Sequence, residues 1–104
     1  MLAIAKILLD TGRINREFVR TWVNWQDYLH ARRPDLPVAF DTFLDALRAE
    51  YAEFTPEFAE QESLVPAETI RQLAEEVARA GSALCTHIWR SAAAGNEEIG
   101  RAHV

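Results

Sequence analysis

Apolar side chains recur at a period of about 3.6 residues along most of the chain, and each stretch that keeps this period predicts a helix. Between Ile14 and Leu29 the stripe Phe18, Trp22, Trp25 and Leu29, widened by Val19 and Val23, predicts one amphipathic helix with an aromatic buried face. Arg16, Arg20 and Asp27 point the other way. Asn15 is a good N-cap, Glu17 places a negative charge in the first turn, and Ile14 can staple onto Val19. His30, Arg32 and Arg33 complement the negative end, and Pro34 discourages continuation.

The same pattern organises the rest of the chain. Leu2, Ala5, Leu8 and Leu9 predict an opening helix that lacks an N-cap and is ended by Gly12. This start is too short to span a bilayer, carries Lys6 and has no small-residue cleavage site, so it reads as neither a membrane anchor nor a signal peptide. Two prolines in Arg33-Pro34-Asp35-Leu36-Pro37 break the chain. A third helix is predicted from a cap at Asp41, carrying Phe43, Leu44, Leu47, Tyr51 and Phe54. Thr55-Pro56-Glu57 has the grammar of a helix start, a cap followed by proline and an acid, and predicts a fourth helix to Glu62. Pro66 opens a fifth with Ile70, Leu73, Ala74 and Val77 on its stripe, Glu75 and Arg79 as an i,i+4 pair, and Gly81 as terminator.

After Gly81 the character changes. Ala83-Leu84-Cys85-Thr86-His87-Ile88-Trp89 is short and rich in β-branched and aromatic residues, and predicts a strand. A helix feeding a strand through a short turn is half of a βαβ unit, and ligands of open α/β sheets bind beyond the carboxyl ends of strands. The expected fold is mostly α with one strand, part of an α/β unit.

Composition narrows the partners. The 104 residues, 49% of them apolar, suit one small domain. A net charge of −5 without a basic cluster beyond Arg32 and Arg33 argues against nucleic acid or an anionic membrane surface. The acidic excess lies between Glu50 and Glu76 and reads as solvated helix faces. One cysteine, Cys85, excludes an internal disulfide framework or a cysteine-based metal cluster within these residues.

In order along the chain, several segments resemble the large catalytic subunit of the molybdopterin oxidoreductases, the dimethyl sulfoxide reductase superfamily. Residues 2–9 are similar to the helix after the family's Gly-Thr/Ser-Asp cofactor segment. Residues 14–25 are similar to its "acidic or Asn, x, x, Phe-Val, x, x, Trp" helix. Residues 51–57 and 65–74 resemble its "Tyr-x-x-x-Thr-Pro-Glu" and "Gly-Val-Pro-Ala-Glu-x-Ile-x-x-Leu-Ala" segments. Residues 88–96 resemble its strand and loop near the cofactor. Leu64 departs from the pattern, standing where the family places Gly.

The resemblance implies that residues 1–97 are an internal fragment of a Rossmann-like molybdopterin-binding domain. The parent enzyme would catalyse two-electron redox or oxygen-atom transfer at a molybdenum or tungsten centre held by two pterin guanine dinucleotides. The family's metal ligand and iron-sulfur cysteines have no counterpart in the chain, so the fragment alone is expected to be inactive. Its expected partners are the remainder of the parent subunit and an iron-sulfur electron-transfer subunit, with no nucleic acid and no membrane segment. An export signal would lie upstream, which leaves the compartment open. Ile99-Gly100-Arg101-Ala102-His103-Val104 matches one reading frame of a common DNA sequencing adapter, so residues 98–104 are read as a non-native tail.

The candidate cofactor-binding residues are Trp89, Arg90, Gly95 and Asn96: a guanidinium grips phosphate bidentately, and glycine lets backbone N–H groups approach an anion. The plainer reading is an exposed strand end and loop. Cys85 and His87 share a strand face, but two ligands do not close a metal site, and a buried thiol beside a hydrogen-bonded histidine accounts for them. The aromatic stripe suits a partner-binding face or a base-stacking platform on one side, or, as the plainer reading, core packing against the third and fifth helices. The latter makes the chain part of a larger fold; the former makes it a small helical interaction module.

Overall fold

The computed structural model describes residues 1–85, and among them the chain is all helix. The helices are α1 (Leu2–Asp10), α2 (Arg16–Trp22), α3 (Trp25–Arg32), α4 (Phe40–Glu50), α5 (Pro56–Ser63) and α6 (Ala67–Ala80). This corrects the expected α/β, Rossmann-like fold: no strand occurs among the described residues. Ala83, Leu84 and Cys85 form no strand pairing, and the rest of the predicted strand lies outside the described residues.

α1 is the hub. It packs against α6, α5 and α4, while α3 packs only on α4 among the stronger pairings. The main core gathers Leu9, Trp25, Leu29, Phe43, Leu44 and Ala46, with Ile14, Val19, Tyr28, Leu36, Phe40, Leu47 and Tyr51 closing its edge. A second contact, between α1, α5 and α6, is made by small residues: Ala3, Ala67 and Ala74 are buried there with Ile70 and Pro56. Short side chains let these helices approach closely, but they bury little area.

Several helix ends follow their local chemistry. The Asn15 side chain accepts a hydrogen bond from the Phe18 amide at 3.0 Å, and the Thr55 hydroxyl accepts one from the Phe58 amide at 3.1 Å, with Pro56 at the first position of α5. Both satisfy amides that the first turn leaves without an intrahelical partner. Gly12 and Gly81 carry positive φ, 67° and 57°, just past the ends of α1 and α6.

The single aromatic helix expected over Ile14–Leu29 is two helices. Val23 is extended (φ −98°, ψ 137°), and a new helix starts after Asn24. The break is held by the indole Nε1–H of Trp25, which donates to the Arg20 carbonyl at 3.0 Å. A carbonyl at the end of α2 thereby gains a partner outside the helix. The break also splits the stripe. Trp25 and Leu29 are buried, whereas Phe18 and Trp22 are 57% and 75% exposed. The buried rings pack on α4, with Trp25 edge-on to Phe40 at 5.6 Å and Tyr28 edge-on to Phe43 at 5.5 Å.

Three smaller expectations change. Asp41 is not the cap of α4, which begins after Ala39; it lies in the first turn and accepts from Arg16 at 2.7 Å. Tyr51 and Phe54 fall beyond the end of α4 and stack edge-on with each other in the turn to α5. Arg79 pairs with Glu76 rather than Glu75, and Glu75 is held by Arg13 at 2.6 Å, an ion pair that ties the turn after α1 to α6.

Candidate functional site

Among the described residues, two open apolar surfaces stand out. The larger is a groove of about 460 Å³ between the start of α1, α5 and α6. Met1, Leu2, Phe58, Val65 and Leu73 line it, with the carboxylate of Glu62 on its wall. It exists because the α1–α5–α6 contact is made by alanines: the longer side chains of the same helices stand clear of one another. The second surface is the face of α2, where Phe18 and Trp22, one helical turn apart, project into solvent beside Val23.

Charge is distributed unevenly along the chain. Residues 13–33, which hold α2, carry five arginines against Glu17 and Asp27, a net +3; residues 50–76, which hold the groove's α5 and most of α6, carry eight glutamates against Arg71, a net −7. Many of these charges meet inside the unit. Arg71 donates to Glu57, Arg33 donates to Asp35 at 3.1 Å, and Arg16 sits over the Phe40 ring, 5.2 Å from its centre, as well as on Asp41. Among the described arginines only Arg20 has no carboxylate partner, so no set of free guanidiniums is gathered for a phosphate. Arg16 is thus a packing residue as well as a surface charge.

Hydrogen bonds from arginine lower the pKa of three exposed carboxyls. Arg33 holds Asp35 below the ordinary carboxylate range, Arg71 does so for Glu57, and Arg13 for Glu75. A depressed folded-state pKa stabilises the fold above the unfolded value of about 4 and is lost as pH falls through the folded value. Acidification from pH 6 to pH 3 is therefore expected to lower the Tm. The Arg71→Gln chain is expected to show a shallower fall over the same range, which thermal melts followed by circular dichroism would measure. The phenol of Tyr28 moves the opposite way: its hydrogen bond to Glu50, more than its burial, holds it above the ordinary tyrosine range.

Leu64 stands at the lip of this region. It ends α5 in the left-handed conformation, φ 62° and ψ 12°, the one non-glycine residue among those described with positive φ, and its side chain is 88% exposed. A β-carbon in this conformation costs about 1 to 2 kcal/mol, and the exposed isobutyl group returns no packing. Leu64→Gly is expected to stabilise the fold by about 0.5 to 1 kcal/mol, the relief of strain exceeding the added freedom of the unfolded chain. Urea denaturation would measure the gain, and any loss of stability would show that Leu64 is supported in a way its surroundings do not reveal.

The predicted cofactor-binding residues Trp89, Arg90, Gly95 and Asn96 lie outside the described residues, as do His87 and the 98–104 tail. Cys85 is exposed, which corrects the expectation of a buried thiol. No group of three or more His, Cys, Asp or Glu side chains able to hold a metal ion occurs among the described residues. No helix among them is long and apolar enough to cross a membrane. The groove was not legible as an open surface in the sequence, and the exposed α2 face was only one of two readings of the aromatic stripe, because Leu73, Phe18 and Trp22 all keep the helical spacing of core residues. One signal did point to the break: Asn24, a residue common at helix starts, follows the β-branched Val23 directly. Comparison with protein-family models, with curated proteins and with solved structures finds nothing that matches this chain.

Proposed function

We propose that this chain is a helical segment of the large catalytic subunit of a molybdopterin-dependent oxidoreductase, to which residues 1–85 contribute packing surface. One observation carries the reading beyond the ordered run of resembling segments. At Leu64, where the family places glycine, the backbone is left-handed, the conformation that glycine alone adopts without strain. A glycine at this position would take up that backbone without strain, which supports the reading. The uncovered aromatic face of α2 and the open apolar groove support the same reading, since a segment of a larger body leaves such faces for its neighbours to cover.

The described residues do not fit the metal centre itself: they offer neither a ligand set nor a cluster of free cations. The bound pterin-metal group would supply two-electron redox or oxygen-atom transfer in the parent enzyme. The part assigned to these residues is to support the loop of residues 89–96, which the resemblance places near the cofactor. Elemental analysis of the longer protein that contains this sequence, purified folded from metal-replete cells, tests the proposal. Stoichiometric molybdenum or tungsten with pterin is the expected result, and a folded protein with neither would overturn it.

A second reading, a self-contained helical interaction module, is favoured by the core that the described residues build for themselves around the fully buried Leu29 and Leu44. That reading expects the isolated chain to unfold in one cooperative step without binding an apolar dye. A segment of a larger body binds the dye and melts broadly.

A further inference from the structure

α2 is the one described helix with no buried residue. Its seven residues are too few to stay helical alone, since an isolated helix shorter than roughly 12 to 15 residues is marginal in water. Tertiary contact must therefore maintain it. Yet of its residues only Val19 is even partly buried, and α2 is absent from the stronger helix pairings. Its other ties are few. Arg16 reaches α4 through an ion pair to Asp41, with both side chains mostly exposed and screened by water, and through the Phe40 ring. The indole N–H of Trp25 holds the Arg20 carbonyl from across the break.

The chain on either side is fixed. The Arg13 N–H donates to the Leu8 carbonyl at 2.9 Å and its guanidinium pairs with Glu75 of α6, while Trp25 is buried against Phe40 and Phe43 of α4. We propose that residues 14–23, between these two anchors, form a strap that opens as a unit while the other helices stay packed. The strap's underside is apolar. Ile14 and Val19 close one side of a pocket of about 220 Å³ whose other walls include Leu8 and Leu9 of α1 and Leu44 and Leu47 of α4. Opening removes that side and lays the seam between α1 and α4 bare. Few buried contacts break in the process, which places the motion at the low-stability end of the fold. The strap is a property of the folded chain itself, beyond its proposed place in a larger enzyme.

Amide hydrogen exchange of the full 104-residue chain, followed residue by residue by NMR and corrected for intrinsic rates, tests the strap. The amides of Arg20, Thr21, Trp22 and Val23 are expected to exchange at least about a hundredfold faster than those of Leu44 and Leu47, the difference between local and global opening. Their exchange is expected to respond little to low urea, because opening exposes little surface, whereas exchange in α4 rises steeply. Thr21→Pro supplies a second measurement. It removes the Thr21 N–H and sets the ring against the Glu17 carbonyl, so that α2 cannot form. The variant is expected to keep α1 and α4 folded. Its Leu44 and Leu47 amides are expected to speed up by no more than the factor by which α2 is protected in the wild type, since losing α2 costs only what opening it costs. Wild-type α2 amides that match Leu44 and Leu47 in rate and in urea response would overturn the proposal, as would a Thr21→Pro chain in which α1 and α4 unfold together. Neither outcome touches the metal content of a longer protein, so failure here is distinct from failure of the proposed function.

Discussion

Leu29→Ala is expected to destabilise the fold by about 2 to 5 kcal/mol, a large part of the roughly 5 to 15 kcal/mol that holds a small domain together. Leu29 has no solvent-exposed surface and lies in the core cluster with Trp25 of its own helix and Phe43 and Leu44 of α4. Removing three carbons leaves a cavity bounded by aromatic rings on two helices that cannot both move inward. The Tm is expected to fall by about 10 °C or more, as read from a thermal melt at fixed concentration. Trp22→Ala is the matched control. It lies on the same sequence stripe but outside the core, and its removal is expected to shift stability by no more than about 0.5 kcal/mol. A drop as large as that of Leu29→Ala would mean that the stripe is continuous after all.

Trp25→Ala is expected to cost about 3 to 5 kcal/mol, through loss of the ring that packs between Phe40 and Phe43. The same side chain also joins two helices, and Trp25→Phe separates the two roles. Phenylalanine keeps most of the packing but removes the N–H, leaving the Arg20 carbonyl without its 3.0 Å donor at about 1 to 2 kcal/mol. Because that bond spans the α2–α3 break, the Phe variant is expected to speed amide hydrogen exchange at Val23, which bonds back to Val19, more than at Leu29 or Phe43. Equal acceleration at all three would assign the bond to global stability rather than to the joint.

Local order was largely legible in the chain. Asn15, Thr55 with Pro56, and the glycines at 12 and 81 mark helix ends by chemistry that acts within three or four residues, and the folded chain uses each of them. The stripes of α4 and α6 named buried residues at Phe43 and Leu44 and at Ile70 and Ala74, although Leu73 is exposed; that of α1 named Leu9 but included the exposed Leu2 and left out the buried Ala3. Periodicity failed where two helices meet in one register. Phe18, Trp22, Trp25 and Leu29 keep the same spacing whether or not the backbone is continuous, and the break shows in the extended backbone at Val23 and the bond from Trp25 to Arg20. The strand expected after Gly81 rested on propensity, and strand propensity describes a fit to neighbouring strands that are absent from the described residues. As for the site, residues 89–96 lie outside the described part, while the two surfaces that are described had the sequence signature of a core.

By itself the sequence determined where most helices begin and end and that the acidic excess gathers between Glu50 and Glu76. These depend on neighbours along the chain. Only the tertiary structure decided that α1, and not the aromatic stretch 14–29, is the hub; that half of the aromatic stripe faces solvent; and that a groove opens beside Leu73. Burial depends on what lies opposite a face, and the alanines that bring α1, α5 and α6 together cover only part of the apolar surface those helices carry. Leu64 belongs to both accounts, a departure visible in the sequence whose cost appears only in the left-handed backbone that receives it.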